Sequence, residues 1–193
     1  MRFDKVVVAS KNPDKVAETE EVLAGLGIVG EIVRGLDWPD VEETEPTLEG
    51  NALLKARAVA EATGLVAVAD DTGLEVDALG GAPGVLSARF AGPDATYADN
   101  VRRLLDVLSE RSDRSARFRT VVAVVDPGSG SEWCAEGSVT GVITTEPRGA
   151  YGFGYDPVFE VDGLTLGEMT APAKTSISHR ARALEALAVI LTD

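Results

Sequence analysis

Lys11 and Lys15 belong to the stretch Ser10-Lys11-Asn12-Pro13-Asp14-Lys15, which follows a run of β-branched residues that stops at Ala9. Asn12 is a good N-cap and Pro13 suits the first helical position, so strand, loop and helix start are all specified locally. A helix start of this kind aims free backbone N–H groups at the loop mouth and attracts anions. It disfavours a cation in its first turn, so Lys15 is misplaced unless an anion binds there. With a phosphate in the loop, Lys15 becomes its ligand and Lys11 lies one turn away. The plainer reading is a solvated helix end with two mobile lysines, because the stretch lacks the glycine spacing of a Walker loop.

Acidic residues supply the other half of the chemistry. The segment "VADDTG" sets Asp70 and Asp71 side by side at the end of a strand expected to be buried. Neighbouring strand residues point to opposite faces, so the two carboxylates cannot both meet one ligand while the chain stays extended. One would hold the backbone or a lysine, and the other would face a cleft. A strand-end aspartate often only begins a turn, and Glu42-Glu43-Thr44-Glu45 reads first as a solvated acidic loop. Mg2+, however, takes one or two carboxylates together with substrate phosphate oxygens. An acidic loop, a strand-end aspartate and a cationic helix start contain those parts between them.

The elements that must position these residues follow from periodicity. Val6–Ala9 reads as a short buried strand, and "DKVAETEEVLAGLG" as a helix with Val16, Val22, Leu23 and Leu26 on one face and Gly27 as its stop. Asp37–Glu49 is acidic and interrupted by proline, so it reads as a loop. "NALLKARAVAEATG" is a second helix, with Leu53, Leu54, Ala56, Val59 and Ala60 inward and Gly64 closing it. "LVAVADDTGLEVDAL" is a strand that runs into the two aspartates and continues extended. The loop Gly80–Gly92 is rich in Gly, Pro and small residues. Tyr97–Glu110 reads as helix, and residues 116–143 as two strands about a Pro-Gly-Ser-Gly turn. Gly149–Tyr155 is a second Gly-aromatic loop, and Ser178–Leu191 an Ala/Leu-rich helix with Ser178 as a plausible N-cap. Strands and helices mixed in this order predict an α/β fold around a mixed sheet, without repeats or a clean linker.

The 193 residues are 45% hydrophobic, which is material for one ordinary domain or two small lobes with a proper core. A net charge of −14 repels polyanions and argues against a nucleic-acid polymer or an anionic membrane surface as partner. A small phosphorylated ligand stays compatible, because a metal ion and a few local cations reverse the sign within one site. Cys134 is the single cysteine, which excludes an internal disulfide and a Cys-based zinc site and suits a reducing compartment. In its strand pattern it reads as a small packed hydrophobe. "MRFDKVVVAS" lacks the apolar stretch of a signal peptide, and no apolar run approaches the ~18 residues of a membrane span. The expectation is a cytoplasmic protein.

With these residues assembled, the chain resembles the inosine triphosphate pyrophosphatase family, which acts on noncanonical purine nucleotides such as dITP and XTP. The resemblance is carried by "ASKNPDK", "EGNALLKARA", "ADDTGLEVDALGGAPGVLSARFAG", "GFGYDPVF" and "KTSISHRARAL", five motifs in one order over nearly the whole chain. It implies a single domain over residues 1–193, folded as two lobes around a central nucleotide cleft, and a homodimer. It also implies Mg2+-dependent hydrolysis between the α and β phosphates, giving a monophosphate and pyrophosphate. Carried over by position, Ser10, Lys11, Asn12, Pro13, Asp14 and Lys15 form the triphosphate loop. Glu42 and Asp71 hold the metal, Asp71 also accepts the proton, and Thr72 touches substrate. Phe153, Gly154, Tyr155, Asp156, Lys174, His179 and Arg180 match nucleoside-binding positions. Lys11 stands where a glycine is common, and Pro13-Asp14 replace smaller residues.

These assignments suit a reaction that is mainly positioning and neutralisation of charge on phosphoryl oxygens. Lys55 and Asp70 are expected as supports, the lysine reaching in from its helix with Asp70 behind it. Arg180, or backbone N–H groups beside it, is expected to read the 6-oxo group of the base. His179, the sole histidine, reads without the resemblance as a structural residue. A Maf-type nucleotide pyrophosphatase and a catalytically silent nucleotide-binding protein are the alternatives. The segments "SHR" and "FGYDP" weigh against the first, and Lys15, Glu42 and Asp71 against the second. Arg89, Trp38 and Trp133 carry no assigned role.

Overall fold

A computed structural model describes residues 2–192. The chain forms two compact units: residues 2–71, 120–137 and 179–192 make the first, and Thr72–Arg119 with Ser138–Ser178 the second. In chain order the regular elements are β1 (Phe3–Val8), α1 (Pro13–Leu26), β2 (Val29–Ile32), α2 (Leu48–Thr63), β3 (Val66–Val76) and β4 (Pro83–Gly84). There follow α3 (Tyr97–Val107), β5 (Ser115–Asp126), β6 (Ser131–Ile143), β7 (Phe159–Val161), β8 (Leu164–Thr165), α4 (Ala171–Ile177) and α5 (His179–Thr192). The strand order is β2-β1-β3-β5-β6-β7-β8, with β4 added on β3. β1 pairs in parallel with β2 and with β3, where Val6 meets Val66 and Val8 meets Val68. The β3–β4, β6–β7 and β7–β8 pairs are antiparallel. The expected α/β fold with a mixed sheet is borne out.

In the first unit the helix boundaries follow their caps. Asn12 Oδ1 accepts from the N–H groups of Asp14 and Lys15 at 3.0 and 3.4 Å, Pro13 opens α1, and Gly27 ends it at φ 67°. Thr47 Oγ1 accepts from the Gly50 N–H at 3.0 Å, so α2 begins at Leu48, three residues earlier than its apolar pattern suggests. That start turns Asn51 and Ala52 fully inward and leaves Leu53 and Leu54 half-buried, a correction to the expected inner face. Val6, Val8 and Val68 pack with Leu23 of α1 and Leu184 and Leu187 of α5 on one face of the sheet. Val7, Ala67 and Ala69 alternate to the other face and are equally buried.

The second unit has its own core. Leu74 and Val76 from β3, Leu104 from α3, Phe118 from β5, and Val158, Phe159 and Leu166 close around one another. Phe118 and Phe159 meet at 4.7 Å between ring centres and 55° between planes, a tilted geometry that aromatic quadrupoles favour. No helix among the described residues is long and apolar enough to cross a membrane.

One glycine of the first unit marks a close approach. A β-carbon at Gly137 of β6 would collide with the His179 carbonyl oxygen and the Ala183 nitrogen of α5. Both obstacles are backbone atoms, so α5 must move to admit a methyl group. Gly137→Ala is expected to cost about 1–3 kcal/mol of stability, the scale of an overpacked interior. Urea unfolding monitored by circular dichroism checks this, and an unchanged midpoint would contradict it.

Candidate active site

Two sets of buried and half-buried charged residues lie in the first unit, one about Asp70 and one about Asp71. Asp70 is buried, and its Oδ2 meets Lys15 Nζ at 3.1 Å and Arg180 Nη2 at 3.2 Å. The guanidinium continues through Nη1 to the carboxylate of Glu18 on α1. Arg180 is only 1% exposed. Burial opposes charge on Asp70, but the cations of Arg180, Lys15 and Lys55 outweigh it and hold the carboxyl well below the usual range. Burial likewise opposes the charge of Arg180, and Asp70 and Glu18 restore it.

Asp71 points to the other face. Its Oδ1 meets Lys55 Nζ at 3.1 Å, and its Oδ2 accepts from Asn51 Nδ2 at 3.3 Å. Lys55 also donates to Glu43 Oε1 at 2.6 Å, so one ammonium gathers two carboxylates. Asn51 uses its own Oδ1 to accept from the Glu45 N–H at 2.9 Å, which ties the acidic loop to α2. Burial pushes the Asp71 pKa up; Lys55 opposes that shift and the neighbouring charge of Glu43 adds to it. Lys55 is raised in spite of burial, because Asp71, Glu43 and Asp70 favour its cation. Two adjacent aspartates therefore differ in kind: Asp70 is a committed anion, and Asp71 is shifted toward holding a proton.

This arrangement answers the puzzle of Lys15. Its ammonium leaves the helix start and folds against Asp70, yet the side chain stays 20% exposed beside the capped loop. Ser10 Oγ accepts from the Asn12 N–H at 3.2 Å and shapes the same loop. Lys11 turns away to Asp40 at 2.6 Å on the exposed surface.

Asp71 is the aspartate hydrogen-bonded to Lys55, whereas Asp70 holds Lys15 and Arg180 and favours the Lys55 cation by its charge. Glu43, not Glu42, reaches the cluster: along Val41–Thr44 half-buried and exposed residues alternate, so neighbouring glutamates face opposite ways. Arg180 is enclosed between the carboxylates of Glu18 and Asp70. His179 is buried next to it and shares a 2.6 Å hydrogen bond between Nδ1 and Thr120 Oγ1.

The second unit holds a different cluster. Asp156 Oδ2 accepts from Lys174 Nζ at 2.8 Å and from the Phe153 N–H at 2.9 Å. The Lys174 ammonium lies 4.6 Å from the centre of the Phe153 ring, within cation–π range. Gly152, at φ 74°, is pressed against the Asp156 carboxylate where a side chain would collide. Tyr155 donates its hydroxyl to the Ser87 carbonyl at 2.9 Å, so this member of the motif braces the loop. Tyr97, which carried no signal beforehand, packs its ring 6.0 Å from that of Phe153. Thr72, half-buried, follows Asp71 on β3.

The remaining residues are structural. Burial first, then the charges of Glu49 and Glu132, push the Cys134 thiol up to about 11, which suits packing and not nucleophilic attack. Trp133 packs its ring 5.9 Å from that of Phe3.

Oxygen donors gathered around a single positive charge are what a hard divalent cation requires. Among the described residues no group of three or more His, Cys, Asp or Glu side chains is set to hold a metal. An ion at Asp71 and Glu43 would therefore lean on two carboxylates and on the oxygens of its substrate. Two carboxylates suit a hard divalent cation that shares its substrate's oxygens and do not suit a closed structural zinc site.

Comparison with known proteins agrees. The model of the Ham1 family matches residues 6–190. A dITP/XTP pyrophosphatase of Chlorobaculum tepidum is 50% identical over 95% of this chain and 90% of its own length. That of Bacillus subtilis is 43% identical over 97% and 96%. The solved structure of a HAM1 protein from Coxiella burnetii is similar with a TM-score of 0.88 and 42% identity, covering 98% of this chain and 99% of that one. A dITP/XTP pyrophosphatase structure from Mycobacterium abscessus gives 0.76 at 44% identity, over 97% and 99%. The chain belongs to the Ham1 family, as its five motifs led one to expect.

Asp70→Asn leaves the buried Arg180 guanidinium short of a counter-charge, and a loss of about 3 kcal/mol or more is expected at neutral pH. The Asp70 pKa lies below its unfolded value, so its contribution is present above about pH 4 and is lost as the pH falls further. Urea midpoints at about pH 7 and about pH 3 should show the gap between wild type and variant narrowing with acidity. A gap of constant size would contradict the assignment.

Proposed function

We propose that this chain is a metal-dependent nucleoside triphosphate pyrophosphatase that hydrolyses noncanonical purine nucleotides (dITP, ITP and XTP) to the monophosphate and pyrophosphate. The observation that carries this reading is the division of Asp70 and Asp71 between two sets of cations. One set, with Lys15 beside a capped helix start, suits an anionic polyphosphate. The other, Asp71 with Glu43 and Lys55, suits acid–base work on water. The relatives named dITP/XTP pyrophosphatases supply the substrate class.

In this reading Ser10 to Lys15 bind the outer phosphates through backbone N–H groups and the Lys15 ammonium. Asp71, with its raised pKa, accepts a proton from the attacking water. The water oxygen bonds to the α phosphorus, the bond from that phosphorus to the α–β bridging oxygen breaks, and pyrophosphate leaves with the electron pair. Lys55 holds Asp71 and Glu43 in register and keeps two like charges from separating. Mg2+, held by Asp71 and Glu43, would neutralise charge on the phosphoryl oxygens. Phe153, with Lys174 and Asp156 behind it, offers a ring face to the base, and stacking of that kind is insensitive to base identity. His179 and Arg180, at the start of α5, are assigned to the nucleoside, and Thr72 to substrate contact. We further place the enzyme in the cytoplasm, as a homodimer with one such domain per chain. The family resemblance supports the dimer and the lone cysteine suits the compartment.

Asp71→Asn is expected to lower kcat by about 10²-fold, the scale of losing a positioned base, while binding and fold persist. Release of pyrophosphate from dITP, followed in saturating Mg2+, checks this; near-normal turnover would sink the role. In the same assay Glu43→Gln is expected to cost more than Glu42→Gln, and the opposite order would return the metal to Glu42. A wild type that binds dITP without releasing pyrophosphate would favour a silent nucleotide-binding protein.

A further inference from the structure

Lys15, Asp70, Arg180 and Glu18 form a series of alternating charges in the first unit. Asp70 Oδ2 serves both Lys15 and Arg180, at 3.1 and 3.2 Å. One carboxylate oxygen shared by two cations leaves the trio with an excess positive charge in a place almost without water, since the Arg180 side chain is 2% exposed and that of Asp70 4%. Arg180 cannot shed its charge. The second negative charge comes from Glu18, which takes the other arm of the guanidinium. Glu18 lies three residues after Lys15 on α1, so both project from one side of the helix. The same helix thus delivers the cation that Asp70 holds and the anion that balances Arg180.

We propose that Glu18 is a positioning residue for the polyphosphate site: by taking one arm of Arg180 it keeps that guanidinium from claiming Asp70 alone, and so lets Asp70 hold Lys15 at the mouth of the loop. The orientation of Arg180 is the working part. Nη1 meets Glu18, and Nη2 meets Asp70 Oδ2 at 3.2 Å. Without Glu18 the planar fork is free to turn and to engage Asp70 through both arms, the geometry that guanidinium and carboxylate prefer. Lys15 would then lose its partner and its fixed position. Glu18 has no assigned part in the chemistry, and its own carboxylate is partly exposed, at 23%. The inference rests on the proposed role of Lys15 in binding phosphate.

A double-mutant cycle tests it, with binding of inorganic tripolyphosphate measured by titration calorimetry so that hydrolysis is not required. Glu18→Gln is expected to weaken binding by about fivefold to tenfold, the scale of coupling between neighbouring charged groups. Lys15→Ala should weaken it more, and the double variant should bind no worse than Lys15→Ala alone. Glu18→Asp, which keeps the charge on a shorter arm, should fall between wild type and Glu18→Gln. Should Glu18→Gln fail to fold, the same cycle run with Glu18→Asp decides, because its loss too must vanish when Lys15 is absent. Wild-type affinity in Glu18→Gln, or equal losses with and without Lys15, would overturn the proposal. Release of pyrophosphate from dITP by the wild type tests the enzymatic reading separately: inactivity with an intact cycle would reject the reaction and keep the positioning role. If Lys15→Ala binds as wild type, the phosphate role of Lys15 falls and the positioning proposal with it.

Discussion

A β-strand turns successive side chains to opposite faces, and at residues 70 and 71 that rule separates two carboxylates that would otherwise repel one another. The charged layer of the first unit is organised around the separation. Asp70 receives cations from α1 and α5, and Asp71 receives one from α2. Each aspartate is then tuned by its own surroundings. Dense positive charge depresses Asp70, whereas Asp71, with burial against it and Glu43 beside it, is raised. Side chains that are chemical twins thus differ in proton affinity from position alone, one favoured as the anion and the other shifted toward its protonated form.

A net charge of −14 looks unpromising for a protein that handles polyphosphates. The structure resolves this locally. Lys15, Lys55 and Arg180 are held by buried or half-buried carboxylates, so their charges lie where screening by salt is weak. Many acidic residues elsewhere, such as Glu31 and Asp40, are exposed to solvent. In the second unit Lys174 obeys the same economy: Asp156 fixes it, and Asp156 is in turn fixed by the Phe153 amide.

Much of the architecture was legible in the sequence because its signals are local. The Asn-Pro start and glycine stop of α1, the glycine stop of α2, and the apolar runs of β3, β5 and β6 depend on neighbours only. What escaped notice lacked such signals. β2 is the four-residue segment Val29–Ile32, and its Gly30 is required because a side chain there would strike the Asp4 carbonyl of the adjacent strand. α4 is seven residues long with Pro172 in its first turn, too short for a helical period to show. For the site, alternation alone foretold that Asp70 and Asp71 would divide. Which glutamate of the 42–45 run turns inward depends on how Asn51 anchors the loop. One partner of Arg180, Asp70, lies 110 residues away on β3. Neither relation is written in spacing.

The division of labour between the two aspartates is tested most directly by their own titrations. In protein labelled with 13C at the aspartate carboxyl carbons and free of divalent metal, the two resonances can be assigned by Asp70→Asn and Asp71→Asn and followed from about pH 8 to about pH 2. The account predicts that Asp71 titrates above the ordinary aspartate value of 3.8, while Asp70 stays ionised until well below it. Titration of both near that value, or of Asp70 above Asp71, would contradict it.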